Sequence, residues 1–379
     1  MQRRDFLLAS CAASALLRMP SVLATQTAGK TVVLVELSGA NDALNMVAPV
    51  GNDRYFRLRP RIGLRPDQRI DIDPHFALNG EMSNLARLYQ DGQLKIFHNV
   101  GYPKQNHSHF RSIEIWERGG DGNSQGRTGW MVDDALKMAA NGRDGAGAYL
   151  GGTGNIFHGG GGQFVTGNFN TILRLVRSAD KAETGGSGLL AKMRQQRKET
   201  HTRVEKIGDK LAQARSFSIG GGALGNQLAD VLRLIDAGID LPVYKVTQTG
   251  YDTHVEQNNI HRNLLRDLDR ALGDTYQSLA RMGRLNDVVV MTYSEFGRRV
   301  RENGARGTDH GSAASHLMIG GGLQGGHIGR LPDLDRLDGD NLKFDIDYRS
   351  LYAWILSEHL DVAEHKFQAF QRDFNNFSV

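Results

Sequence analysis

Residues 243–292 read as strand, helix, strand. Val243-Tyr244-Lys245-Val246-Thr247 is a short run rich in branched and aromatic residues, and Asp287-Val288-Val289-Val290-Met291-Thr292 is a second, clearer one. Between them Ile260, Leu264, Leu265, Leu268, Leu272, Leu279 and Met282 fall on an i, i+3/i+4 stripe. That spacing marks a helix with one apolar face. A strand that passes through a helix into the next strand returns parallel to itself, and the helices of such units cover both faces of the sheet.

The same pattern extends outward. Thr31-Val-Val-Leu-Val-Glu-Leu37 predicts a buried strand, residues 81 to 91 a helix, and Leu94-Lys-Ile-Phe97 another strand. His316-Leu-Met-Ile319 predicts a fifth strand, and Tyr348 to Leu360 a closing helix. Alternation of this kind defines an α/β fold with a doubly wound, mostly parallel sheet. The stretch from about 120 to 225 differs. It is rich in Gly and Asn, then turns into a basic helix from Leu189 to about Arg215 carrying Lys192, Arg194, Arg197, Lys198, Arg203, Lys206 and Lys210. It reads as an insertion or cap over the sheet, and its charges as a solvated face more than an anion site. No internal repeat is visible.

The N-terminus carries an address. Arg3-Arg4 is followed by Asp5-Phe6-Leu7-Leu8, a short apolar stretch and Val22-Leu23-Ala24. This is the layout of a twin-arginine signal peptide, residues 1–24, and it predicts a periplasmic or secreted protein handled by the twin-arginine export machinery. Arg18 and Pro20 break the apolar stretch before it is long enough to span a bilayer. Leu8-Ala9-Ser10-Cys11 resembles a lipoprotein box, but only about five apolar residues precede it, too few for a signal core. No stable membrane anchor is expected. Cleavage after Ala24 removes Cys11, the only cysteine, so residues 25–379 form a single domain without disulfides or thiolate chemistry.

Composition excludes more than it selects. The leader accounts for +2 of the whole-chain net charge of +4, so the mature chain lacks a nucleic-acid signature despite a pI near 9.1. Glycine, 46 of 379 residues, gathers at Gly159 to Gly162, Gly220 to Gly222 and Gly320 to Gly322. Such clusters serve tight turns more often than close approach to a ligand. Three tryptophans are too few for extended sugar-stacking platforms, which argues against a glycan groove in the glycine-rich cap.

Open α/β sheets place ligands beyond the carboxyl ends of their strands. Here those ends carry Ser38-Gly39-Ala40-Asn41-Asp42, Asn106-His107-Ser108-His109-Phe110, Gly250-Tyr251-Asp252-Thr253-His254 and Ser294-Glu295-Phe296-Gly297-Arg298-Arg299, while Gly307-Thr308-Asp309-His310-Gly311 precedes the fifth strand. One such aspartate is usually a turn former and one such histidine a partly buried polar side chain. Five sites on one edge bring like charges together, which is costly unless something positive sits among them. Divalent metal ions (Zn, Mn, Mg or Ca) with carboxylate and imidazole ligands answer that cost. Ser108 has two readings. Phe110, Ile113 and Trp116 predict a helix starting near His109, so Ser108 is either its N-cap or a nucleophile set beside free amides and the positive helix end, where a phosphate or sulfate group binds.

The segments Val35 to Asn45, Asn106 to Trp116, Gly250 to His254, Val288 to Arg299 and Gly307 to Gly311 resemble domain-of-unknown-function family 1501 over nearly the whole mature chain. Those proteins look like members of the alkaline phosphatase superfamily. The resemblance implies a sheet of the alkaline phosphatase/sulfatase type and two metals flanking a Ser, Thr or modified Cys nucleophile. By position, Asp42 resembles the first-strand aspartate of the second metal, Ser108 the nucleophile, and Asp252 and His254 the acid and histidine of the first metal. His310 resembles the late third histidine of that site, and Glu295 the acid of the Asp-His pair that completes the second. The chain departs from the pattern in three ways. One residue separates Asp252 from His254 where the superfamily usually has three. Phe296 stands where a histidine is expected. An Asp-His pair comes later, as Asp309-His310, and offers itself to the second metal instead.

The leading expectation is therefore a metal-dependent hydrolase of a small-molecule or polymer-borne phosphate or sulfate ester, with Ser108 attacking. Arg111, or Arg298 and Arg299, offer an anion clamp, although each reads first as a surface or structural residue. The alternative is a non-catalytic periplasmic binding or assembly protein that keeps the fold and one metal.

Overall fold

The computed structural model describes residues 29–124, 126–151, 154–159, 164–165 and 207–370. The expected twin-arginine leader, Gly160 to Gly162 and most of the basic helix expected over 189–215 lie outside these residues. Lys210, which is described, bonds to Asp144 Oδ2 at 2.9 Å and to the Gly238 carbonyl at 3.0 Å.

The strands are β1 (Thr31–Ser38), β2 (Val47–Ala48), β3 (Arg69–Asp71), β4 (Ala77–Asn79), β5 (Leu94–Gly101), β6 (Ala148–Tyr149), β7 (Phe164–Val165), β8 (Val243–Thr249), β9 (Val288–Tyr293), β10 (Ala314–Gly320), β11 (Gly326–Ile328) and β12 (Ile346–Asp347). The helices are α1 (Ala43–Met46), α2 (Asp53–Leu58), α3 (Ser83–Gln90), α4 (His109–Arg118), α5 (Val132–Ala140), α6 (Gly222–Asp236), α7 (Gln257–Arg281) and α8 (Tyr348–Trp354).

The main sheet runs β11-β5-β10-β9-β1-β8-β6-β7, with β12 also on β5. It is mixed and largely parallel. β1 pairs in parallel with β8 and β9, with Val33 opposite Tyr244 and Val290. β10 alone is antiparallel to both neighbours, with Ile319 opposite Val290 on β9 and Leu94 on β5. In consequence the carboxyl ends of β1, β5, β8 and β9 share one edge with the amino end of β10. This is why Asp309-His310, which precedes its strand in sequence, meets residues that follow theirs.

Side-chain alternation along β1 builds the two faces. Val33, Val35 and Leu37 pack with α3, α6 and α7, whose contributions include Leu85, Leu228, Leu265 and Leu272. Val32 and Leu34 pack with Trp116 of α4, Tyr348 and Leu351 of α8, and Trp130. A small antiparallel sheet, β2-β4-β3, sits beside the main one. Among the described residues the 120–225 stretch contributes α5, the strands β6 and β7, which extend the main sheet beside β8, and the start of α6.

Two sequence expectations need correction. The seam of α7 is His261, Leu265, Leu268, Leu272, Thr275 and Leu279, all buried. Ile260 falls one residue off this seam and is 48% exposed, because His261 takes the inward position and bonds Asn41 Oδ1 at 2.8 Å. The closing helix is α-helical only to Trp354, and Ile355–His359 widens into a π-helical turn. At Gly320, Gly321 and Gly322 the φ angles are +80°, +65° and +70°, so this glycine cluster makes a tight left-handed turn after β10.

Candidate metal centre at the carboxyl edge of the sheet

The loops at this edge are drawn together by the backbone before any side chain acts. Gly39 has φ +109°, and a Cβ there would stand 2.5 Å from the Asp252 amide nitrogen. Only glycine lets the end of β1 lie against the Tyr251–Asp252 turn. Arg298 then locks the arrangement. Its side chain has no solvent exposure. It donates to the carbonyls of Gly39 (2.6 Å), Ala40 (2.7 Å), Thr308 (2.9 Å) and Tyr251 (3.1 Å), and to Asp252 Oδ1 (2.7 Å). A buried guanidinium with its donors satisfied this way is a structural cross-brace, so Arg298 is not free to clamp an anion.

Three imidazoles converge on the carboxylate that Arg298 holds. From Asp252 Oδ1, His254 Nε2 lies at 3.0 Å, His310 Nε2 at 3.3 Å and His109 Nε2 at 3.4 Å. The Nε2 atoms of His254 and His310 are 3.0 Å apart. His109, Asp252 and His310 bring one ligand atom each within 4.8 Å of one another.

The opposite nitrogen of every ring faces an acceptor. His109 Nδ1 donates to Glu295 Oε1 at 2.7 Å, and His310 Nδ1 to the His107 carbonyl at 2.8 Å. His254 Nδ1 faces Asp309 Oδ1 at 3.5 Å. These partners favour the Nδ1–H tautomer, in which the Nε2 lone pairs turn inward, the arrangement of outer partners behind metal-ligating histidines. Facing lone pairs repel, and His109 Nε2 is buried with no hydrogen-bond partner. A cation relieves both problems. Bonds of about 2.0–2.1 Å to a Zn-type ion separate neighbouring ligand atoms by roughly 3.0–3.4 Å, and the distances from Asp252 Oδ1 to the three Nε2 atoms, 3.0, 3.3 and 3.4 Å, lie in that range. The residues therefore fit a divalent metal.

The titration shifts differ from group to group. Partial burial alone would raise Asp252, but Arg298, His310 and His109 bring it down to about 2. The Glu295 hydrogen bond pushes His109 up against the effect of burial. Burial lowers His310, helped by Arg298 and His109, which favours the neutral ring. Asp309 is lowered by its bond from Asn303 and by His254 and Arg299.

The residues singled out from the sequence now separate. Asp252, His254 and His310 meet. Asp309 and Glu295 stand behind His254 and His109. Asp42 points elsewhere, into a fully buried pair: Arg59 Nη1 donates to its Oδ2 at 2.6 Å and Gln257 Nε2 at 2.5 Å. Burial would raise Asp42, but Arg59 outweighs it and holds the carboxyl below its usual range. Its Oδ1 has no protein hydrogen-bond partner. Ser108 is exposed at the N-cap of α4, and its hydroxyl makes no cap bond; the carbonyl alone accepts, from Ser112. Arg111 turns along its own helix to Glu114 at 3.2 Å. Arg299 is half exposed, 3.8 Å from Asp309.

Two residues escaped the sequence reading. His109 was visible beside Ser108, but a helix start gave no reason to prefer it as a ligand. Arg59 is 17 residues from Asp42 on another element, and no periodicity connects them.

Fold and site together define an α/β protein with a histidine–aspartate centre at the carboxyl edge of its sheet. The model of a family described as protein of unknown function (DUF1501) matches residues 177–357, so the resemblance read in the sequence holds over that stretch. The match takes in Asp252, His254, Glu295 and His310; the segments around Asp42 and Ser108 lie outside it. No curated protein matches. Similar solved structures include a protein in the alkaline phosphatase superfamily from Vibrio parahaemolyticus, at 14% identity, covering 88% of this chain and 72% of that one, with a TM-score of 0.40. Another is the C-terminal periplasmic domain of EcEptC from Escherichia coli in complex with Zn, at 11% identity, covering 78% and 74%, with a TM-score of 0.37. A third is the lipoteichoic acid synthase LtaP from Listeria monocytogenes, at 11% identity, covering 79% and 68%, with a TM-score of 0.34. Among the described residues no helix is long and apolar enough to cross a membrane.

Proposed function

We propose that this protein is an exported, metal-dependent hydrolase of phosphate or sulfate esters, with Ser108 as nucleophile. The observation that carries the reading is the convergence of the Nε2 atoms of His109, His254 and His310 on Asp252 Oδ1, each ring backed at Nδ1 by an acceptor. His109, His310 and Asp252 would hold the ion, with His254 beside them. A bound divalent ion supplies Lewis-acid stabilisation of ester oxygens. The chain supplies position. His107 and His109, on either side of Ser108, are both tied to the cluster, one through its carbonyl and one through its ring. The Ser108 hydroxyl, unused as a cap, stands at the amino end of a ten-residue helix, where unpaired amides and the helix dipole favour an incoming anion.

The runner-up is a binding or assembly protein that keeps the metal without turnover. The commitment of Arg298 to the backbone and of Arg111 to Glu114 favours it, since two of the three offered arginines are already engaged. A panel of aryl phosphate and sulfate esters, assayed with Zn, Mn, Mg and Ca, separates the two. Turnover that vanishes in Ser108→Ala while metal remains bound supports the hydrolase. Metal-loaded wild-type protein that turns over nothing leaves the binding reading. Export is tested separately: Arg3→Lys with Arg4→Lys is expected to hold the precursor in the cytoplasm, and undiminished periplasmic accumulation counts against that route.

A further inference from the structure

We infer that the centre holds one divalent ion and not two, with guanidinium groups standing where a second cation would be needed. This rests on the metal centre proposed above and goes against the dinuclear site that the sequence resemblance implies.

Every residue offered to a second ion already has another role. Asp42 is fully buried against Arg59, and its Oδ2 also receives Gln257, whose own carbonyl is fixed by Thr308 Oγ1 at 2.7 Å. Glu295 Oε1 accepts from His109 Nδ1 and from the Gly39 amide at 2.9 Å, and Oε2 lies 3.1 Å from Ser294 Oγ, whose proton is shared with the Leu37 carbonyl at 2.7 Å. Asp309 accepts from Asn303 Nδ2 at 3.2 Å and faces His254. His310 is spent on the first ion. Phe296, where a histidine would complete a second site, is buried and lies 5.0 Å from the His109 ring and 4.9 Å from that of His310. It packs the cluster without ligating.

Charge reaches the same answer. Asp252, Glu295 and Asp309 bring three negative charges, Arg298 and the half-exposed Arg299 two positive ones, and the histidines, when ligating, none. One divalent ion turns the balance slightly positive; a second leaves a large uncompensated excess. The Asp42–Arg59 pair is neutral by itself. The free Oδ1 of Asp42 does not reopen the question, because an ion there would share one carboxylate with a guanidinium 2.6 Å from the other oxygen, in a site without solvent.

The full-length mature chain, stripped of metal and titrated with Zn(II) by calorimetry, should bind one equivalent. Loaded with Mn(II), it should give the resonance of an isolated ion, without the spin coupling of two ions about 3.5–4 Å apart. Glu295→Gln should keep the stoichiometry of one and weaken affinity about 10–100-fold, as expected when the partner behind a ligand is lost. His109→Ala should weaken binding further. Two equivalents in the wild type, falling to one in Glu295→Gln, would overturn the inference while leaving the metal-dependent hydrolase intact. No binding at all would defeat the metal centre itself. The wild-type stoichiometry decides the matter even if a variant fails to fold.

Discussion

Asp42 and Asp252 leave neighbouring parallel strands at the same edge of the sheet, and in sequence they look alike: each follows a strand by a few residues, in a Gly-containing turn. In the fold they are opposites. Asp42 is sealed, with no exposure, and neutralised by Arg59. Asp252 is half exposed, neutralised by Arg298 from below, and open to three histidines above. Strand-end position decides only that an acid will be near the edge. The partner that reaches it, brought by a distant part of the chain, decides whether it becomes a brace or a ligand.

The largest test of this contrast is removal of each carboxylate. Asp42→Ala strands the Arg59 guanidinium in the interior, and losing one member of a buried ion pair costs about 3–5 kcal/mol. Denaturant unfolding should show that loss, while any protein that folds should still bind its metal. Asp252→Ala leaves Arg298 with its four carbonyl partners. It should cost much less stability in metal-free protein and should abolish tight metal binding. The contrast collapses if the two variants exchange these outcomes.

Gly39 joins the two regions, so Gly39→Ala should disturb both. The new methyl meets the Asp252 backbone and the residue must hold φ +109°, a strain on the order of 1–3 kcal/mol before the loop moves. Loss of stability accompanied by weaker Zn(II) binding is the expected pair. Unchanged metal affinity in a destabilised protein would show that the two turns are not coupled.

The difference between what the sequence disclosed and what it hid follows the range of the interactions involved. The five strand runs and the α7 stripe are local, periodic patterns that burial on one face enforces, and they appear close to where they were expected. The antiparallel direction of β10 is set by its pairing with β5 and β9, and nothing within His316–Ile319 encodes it. The strands of the small sheet are two or three residues long, too short for a period to show. At the candidate site, the convergence of Asp252, His254 and His310 was legible because they stand at strand ends. His109 was masked by its place in a helix start and Arg59 by the fact that ordinary arginines are surface residues; Arg298 was singled out, as a clamp or a surface or structural residue, but its burial was not legible. Two arginines with no exposure betray themselves only through their partners, the nearest charged ones being 17 and 46 residues away.

Acid sharpens the comparison further. The folded-state pKa of Asp42 lies below its ordinary value near 3.8 because Arg59 outweighs the effect of burial. A depressed carboxyl contributes stability that is fully present above its unfolded pKa and is lost as pH falls through the folded one. Stability measured from pH 5 downward should therefore decline, and Asp42→Asn should remove part of that slope while lowering stability at neutral pH. Parallel pH profiles for the two proteins would mean that Asp42 is not ionised against Arg59.

The smallest effect on stability is the most telling for function. Capping serines lose about 1 kcal/mol on conversion to alanine because an amide of the first turn loses its acceptor. Ser108 has the backbone of an N-cap, but its hydroxyl bonds none of those amides. Ser108→Ala should then change unfolding free energy by less than about 0.5 kcal/mol, as at ordinary surface positions. If ester turnover disappears in the same variant with metal content unchanged, the hydroxyl is kept at this edge for chemistry. A loss near 1 kcal/mol with turnover intact would return Ser108 to a structural role and leave the histidine–aspartate centre in need of another nucleophile.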